Sequence, residues 1–331
     1  ILAAGPSLAE NIVKIKANRD KYVIFAVNKV LRVLENNGIV PDFVVCLDAK
    51  HIDITLAGLE DFCSKINCIT DLKSDSSLFS KNFKRIFVSF SKNDVVVKKL
   101  AEYNKIFTYE NGGTATAMAL VAAVKMGFSK IIFSGLDLAF NDDVIYSTGE
   151  RMNKVADNQI QVSNMKKNVV KVKSVTGELV NTREDYAAFI QHFETLIKDF
   201  GLTEVYNTTS FGAAIDGMKN VPLEDIHLLF VSNGTPFILS EVVPFKLEIE
   251  AWTKEELMLI NNVISLLSKG VFSPVLVSAI VKSPLMYQYM QAEILKVLQE
   301  KMQPENPEEF IQCAKMAVRN VVENLQKNRL I

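Results

Sequence analysis

Short apolar runs, each broken at a small or polar residue and followed by a helical period, set the pattern of the first half of the chain. Residues 1–4 (Ile-Leu-Ala-Ala) break at Gly5-Pro6-Ser7, residues 22–27 at Asn28, and residues 43–47 at Asp48. Residues 66–69, 85–90 and 130–134 read as further strands. Between them, 29–37 and 114–126 carry helical spacing, with Gly38 as a stop signal after the first. Continuous apolar runs suit strands buried on both faces. Strands alternating with helices indicate a mainly parallel sheet covered by helices. The predicted fold class is therefore α/β, a mainly parallel Rossmann-like sheet flanked by helices and followed by a C-terminal helical domain.

The second half is less regular. Residues 141–181 are polar and lack a sustained apolar period, so they read as a loop or lid inserted after a strand, with a short hairpin at 169–172 and 175–180. A plain surface insertion is the other reading. Thr182, with Asp185 three positions on, suits a capped helix start. That helix presents Tyr186, Phe189, Phe193, Leu196 and Ile197 on one face. A strand at 204–207 leads into a second small, polar stretch at 208–215. From Thr253, read as an N-cap with Glu256 behind it, the pattern is helical: 254–267, 273–280, 285–301 and 307–327. Pro274, Pro284 and Pro307 each suit a first helical turn. Two domains are expected, an α/β domain over 1–240 and a helical one over 241–331. The chain opens inside a motif without Met, so a preceding segment is expected as well.

Composition narrows the function classes. The chain has 331 residues, 49% hydrophobic and 23% charged, which suits a folded rather than a disordered protein. A net charge of −1 argues against a broad nucleic-acid surface. The four cysteines, Cys46, Cys63, Cys68 and Cys313, form no CxxC pair and have no histidine set beside them. No metal site is expected from them, and the usage suits a reducing cytoplasm. The apolar stretches fall short of a membrane span.

Candidate chemistry sits at the strand ends. In an open α/β sheet, the carboxyl ends of the strands line one crevice. Gly5 lets backbone approach a ligand, and Ser7 can cap the helix and leave its amides facing an anion. Asn28 can donate to and accept from a base or sugar hydroxyl. Asp48 and Asp137 can hold hydroxyls or a metal, or act as a base. The stretch Asn111-Gly112-Gly113-Thr114 opens a helix and offers amides to a phosphate or carboxylate. Ser134-Gly135-Leu136-Asp137 is a further polar strand end. Asn207, Thr209 and Gly212 join the substrate-binding set from the stretch after the 204–207 strand. Each of these taken alone also reads as an ordinary turn or cap. His51, three residues beyond Asp48, is an acid/base candidate; His192 lies within an amphipathic helix and reads as structural. Neither a P-loop nor the three-glycine dinucleotide fingerprint is present.

These segments in this order resemble the central domain of the motility accessory factor proteins: Ala4-Gly5-Pro6-Ser7-Leu8, Pro41-Asp42-Phe43-Val44 to Asp48, Asn111-Gly112-Gly113-Thr114, and Ser134 to Phe140. Val175-Thr176-Gly177, Tyr206-Asn207 and Gly212-Ala213-Ala214-Ile215 continue the resemblance, which covers about residues 1–220. It implies a cytoplasmic glycosyltransferase that moves a nonulosonic acid, of pseudaminic or legionaminic type, from a CMP-activated donor to Ser or Thr of flagellin. The domain is similar also to a bacterial sialyltransferase family; carried over by position, its nucleotide contacts fall on Gly5, Pro6, Ser7 and Asn28, and the strand end that lines its site falls on Ser134, Gly135 and Asp137. The histidine base of those enzymes has no counterpart that can be placed here. No cofactor is implied.

A second resemblance, to an archaeal pterin pyrophosphokinase family, implies magnesium-dependent transfer from ATP, with Asp48 and Asp137 on the metal. A third possibility is a flagellin-binding accessory protein without enzymatic activity. The helical tail is a candidate for oligomer contacts.

Overall fold

A computed structural model describes residues 1–48, 52–106, 108, 113–140, 169–229 and 248–268, with a few positions between 278 and 287. The chain divides into two compact units, Ile1–Ser89 with Asn111–Ser240, and Phe90–Glu110 with Glu241–Ile331.

The first unit is built on parallel strands. In chain order its elements are α1 (Leu8–Ala17), β1 (Phe25–Val27), α2 (Leu31–Asn36), β2 (Phe43–Cys46), α3 (Ile52–Leu56), α4 (Glu60–Cys63), β3 (Asn67–Asp71) and β4 (Arg85–Ser89). With α5 reserved for the second unit, the first resumes with α6 (Ala115–Lys125), β5 (Lys130–Phe133), β6 (Val169–Lys173), β7 (Leu179–Arg183), α7 (Glu184–Asp199), β8 (Glu204–Asn207), β9 (Lys219–Asn220) and α8 (Leu223–Leu229).

Strands β1 to β4 pair in sequence order, and β5, β8 and β9 form a second parallel set. The opening residues join the two. Leu2 bridges Ala26 on one side and Ser134 on the other, both in parallel. Its N–H donates to Phe25 O at 2.7 Å, and the Ala3 N–H donates to Ser134 O at 2.9 Å. The layer therefore runs β4-β3-β2-β1, opening segment, β5-β8-β9. The chain leaves the opening segment toward β1 and later returns on its other side at β5, which makes a topological switch point beside Leu2.

Burial explains the continuous apolar runs. β1 and β2 are buried at every position, and Phe25 stacks on Phe43 with ring centroids 4.6 Å apart. Helix α6 is buried from Ala117 to Ala123 and packs on β1 and β2. Its alanines let backbone come close to the sheet. Behind β5, Phe133 meets Phe193 of α7 edge to face at 5.7 Å. The α/β class and parallel sheet are as the periodicity indicates.

Two expected helix starts differ. Thr182 belongs to β7, where it pairs with Val170, and α7 starts at Glu184 with Arg183 at the N-cap position and no side-chain cap. The second unit contains α5 (Val95–Tyr103) and α9 (Ile249–Ser268). Thr253 lies inside α9, its hydroxyl donating to Ile249 O at 2.7 Å, so it is not a cap. α5 and α9 pack together, and the Glu248 N–H donates to Asn104 Oδ1 at 2.7 Å. Among the described residues no helix is long and apolar enough to cross a membrane. Of the insertion expected at 141–181, residues 141–168 lie outside the described residues, as do most of the tail helices expected at 273–280, 285–301 and 307–327.

Candidate functional site

At the switch point the carboxyl ends of the strands open into a cavity of about 340 Å³. Three groups of residues line it: strand ends (Ala3 to Pro6, Val27 to Lys29, Leu47, Asp48 and Gly135 to Ala139), the start of α6 (Gly113 to Thr116), and Arg183, Asp185, Tyr186, Phe189 and Phe193 from β7 and α7. Eight of the sequence candidates therefore meet: Gly5, Pro6, Asn28, Asp48, Gly113, Thr114, Gly135 and Asp137.

The first turn of α1 is closed by Asp137. The Ser7 N–H donates to Asp137 Oδ2 at 2.9 Å, and the Ser7 hydroxyl donates to Oδ1. Ser7 thus occupies the N-cap position without capping its own helix, and a carboxylate of the chain itself satisfies the helix amide. Burial pushes the Asp137 carboxyl above the usual carboxylate range, opposed by the bonds from Ser7 and Thr209. Close backbone contact makes this possible. A Cβ on Gly5 would stand 2.5 Å from Asp137 Oδ2, and one on Gly135 would stand 2.3 Å from Ala3 O. Gly135 also has φ +79°, a region L side chains avoid.

The loop from Gly135 to Leu138 is held from three directions. Asn207 Nδ2 donates to Leu136 O at 2.8 Å, the Ala213 N–H to Asp137 O at 2.7 Å, and the Thr182 hydroxyl to Leu138 O at 2.6 Å. Leu138 has φ +45°, a left-handed conformation that such over-determination can sustain in a non-glycine residue. Beneath the loop, Asn11 Nδ2 donates to Ser134 Oγ at 3.2 Å and to Thr208 Oγ1 at 3.0 Å. Neither Asn11 nor Thr208 was a sequence candidate. The available signal is Asn11 itself, an amide one turn after Ser7 on the face that carries Leu8 and Ile15.

The other elements present their polar groups differently. Asn28 Nδ2 donates to Asp48 Oδ2 at 2.8 Å, and Asp48 is exposed. Thr114 caps α6, accepting from the Ala117 N–H at 3.0 Å, and the helix start from Gly113 to Thr116 lines the cavity. Arg183 grips Asp185 through Nε at 2.8 Å and through Nη2. Its guanidinium lies 4.6 Å from the centre of the Tyr186 ring. Arg183 gives the cavity a cation, and Tyr186 and Phe189 give it aromatic faces.

The remaining candidates are placed elsewhere. Ser7, Ser134 and Thr209 are buried and support the lining rather than form it. Gly212 packs against Asp137, where a Cβ would stand 2.6 Å from its carbonyl oxygen. Asn207 lines a second cavity of about 240 Å³ with Ala213 to Met218 and Asn220. His51, Asn111 and Gly112 lie outside the described residues. Two of the thiols are poor nucleophiles: hydrogen bonding to Cys68 and burial push Cys46 up, and burial pushes Cys63 up to about 12.

Residues 1–143 match the model of a family described as 6-hydroxymethylpterin diphosphokinase MptE-like. A protein of Treponema pallidum (strain Nichols), called uncharacterized, is 44% identical over 52 residues, 16% of this chain and 25% of that protein. Among solved structures, the MAf glycosyltransferase from Magnetospirillum magneticum AMB-1 superposes with a TM-score of 0.59 at 17% identity. That match covers 98% of this chain and 49% of the glycosyltransferase chain. The likeness is one of fold, and the chain spans about half the length of that relative.

Proposed function

We propose that this chain carries the catalytic domain of a glycosyltransferase that moves a nonulosonic acid from a CMP-activated donor to a Ser or Thr hydroxyl of flagellin. The observation that carries the reading is the composition of one cavity. It joins a helix N-terminus fit for phosphate, an aromatic wall fit for a base, and an exposed carboxylate bonded to an amide. The fold shared with a MAf glycosyltransferase supports it.

In this mechanism the nucleotide lies along Gly5, Pro6 and Asn28, and its phosphate faces the first turn of α6. Charge grows on that phosphate as the glycosidic bond breaks, and fixed amides stabilise it without reorganisation. Asp48 takes the proton of the acceptor hydroxyl, with Asn28 orienting the carboxylate. Asp137 is assigned a positioning role, because both its oxygens are bonded by Ser7.

Calorimetry with CMP, and with ATP plus magnesium, tests the reading. CMP binding that needs no magnesium is expected, as is a fall of about 10²-fold or more in transfer to flagellin for Asp48→Asn with CMP affinity retained. CMP binding absent, or transfer unchanged in that variant, would defeat the assignment.

The family match over 1–143 favours a second reading, diphosphate transfer from ATP to a pterin. In that case Asp48 is a carboxylate of the described lining open to magnesium, whereas Asp137 is engaged by Ser7. Tight ATP binding that requires magnesium, with no response to CMP, would select it.

A further inference from the structure

Arg183 is a residue of the cavity that no sequence motif marks, and its setting is unusual. It occupies the N-cap position of α7 without a capping bond. A cation there opposes the helix dipole. The arrangement is offset by Glu184 and Asp185 in the first turn, and Asp185 grips the guanidinium side-on through Nε and Nη2. The Tyr186 ring, 4.6 Å away, supports its face. The preceding residues fix the strand end to the cavity loop: the Thr182 hydroxyl donates to Leu138 O at 2.6 Å, and the Phe140 N–H donates to Asn181 O at 3.0 Å. Arg183 is thus tied to the Gly135–Phe140 stretch, of which Gly135 to Ala139 line the cavity, and its side chain keeps 21% of its exposure.

We infer that Arg183 is the specificity-determining residue that recognises the carboxylate of the donor sugar, with Asp185 and Tyr186 as its positioning residues. The inference rests on the glycosyltransferase reading and deepens it. Two anions must be held in one donor, a phosphate and a sugar carboxylate. The start of α6 offers backbone amides, which suit a tetrahedral phosphate. A planar guanidinium suits a planar carboxylate, and holding the fork in place beforehand lowers the ordering cost of binding. Lys29, the other cation on the described lining, is an ammonium beside Asn28 and lacks that fork. Arg183 comes from the β7–α7 side rather than from the sheet edge, so the two anions have separate partners.

The test compares CMP with CMP-N-acetylneuraminate in calorimetry on the full chain, for wild type, Arg183→Lys and Arg183→Met, with circular dichroism confirming the fold. Wild type is expected to bind the sugar nucleotide more tightly than CMP. Arg183→Met is expected to lower affinity for the sugar nucleotide at least about tenfold while leaving CMP affinity unchanged, the effect of one charge-assisted contact. Arg183→Lys should recover part of the loss. An equal fall for both ligands, an unchanged preference in Arg183→Met, or a variant that does not fold while Arg183→Lys binds both ligands without preference would overturn the assignment. Wild-type protein that binds neither ligand would overturn the glycosyltransferase reading and this assignment together, a result distinct from CMP binding with an unaltered preference.

Discussion

At the scale of single residues, Asp137 decides how the strand ends work. The residue is 3% exposed, and its carboxyl is bonded by both the amide and the hydroxyl of Ser7. Burial favours its neutral form, so its pKa in the folded chain lies above the unfolded value. The native state then binds more protons than the unfolded state in the window between the two values, and this group's contribution to stability falls as pH rises through it. Asp137→Asn removes that dependence while keeping a polar partner for Ser7. Denaturant midpoints measured from pH 4 to pH 7 should show wild type losing stability relative to Asp137→Asn across the interval. A constant difference between the two proteins would contradict the sign. Asp137→Ala has another effect, because the Ser7 N–H and hydroxyl lose their acceptor in a buried place. A cost of about 1–3 kcal/mol is expected, readable as a lower midpoint at unchanged slope.

At the scale of elements, α6 serves both packing and binding. Ala119 is fully buried in this helix, which packs on β1 and β2, so Ala119→Leu should cost about 1–3 kcal/mol through overpacking. Thr114→Ala removes the cap bond to Ala117 and should cost about 1 kcal/mol. Thr114→Ala alone should also weaken CMP binding, since Thr114 lines the cavity, and calorimetry on the two variants separates the effects. Strands and helices of this kind were legible because each buried run is short, apolar and closed by a polar residue. Helix starts were less so. Thr182 has the sequence of a cap, but the hairpin ladder continues through its pairing with Val170, and its hydroxyl finds Leu138 O instead. Thr253 likewise has a cap's neighbours, yet the residues before it already form helix, and its hydroxyl bonds back to Ile249. Local sequence cannot report the competition that Leu138 O, distant in the chain, offers Thr182.

At the scale of the whole molecule, the cavity exists because of a pairing between distant segments. The polar strand ends could be read in sequence, but their order across the sheet could not. Leu2 lies between Ala26 and Ser134, a neighbour more than a hundred residues away, and that insertion is what brings Gly5 against Asp137. Arg183 was equally hidden, since a lone arginine after a polar hairpin has no periodic signature. All described residues of the lining come from the first compact unit. Ligand binding should therefore deepen the stability of segments far apart in sequence but joined at the switch point. Hydrogen exchange followed by mass spectrometry, with and without saturating CMP, checks this on the full chain. Protection should rise together in peptides covering 2–8, 26–31, 113–120, 134–139 and 182–190, while Ile249–Ser268 keeps its own rate. Protection confined to one of the five segments would mean that they do not share a ligand, and the reading of a single nucleotide crevice would fail with it.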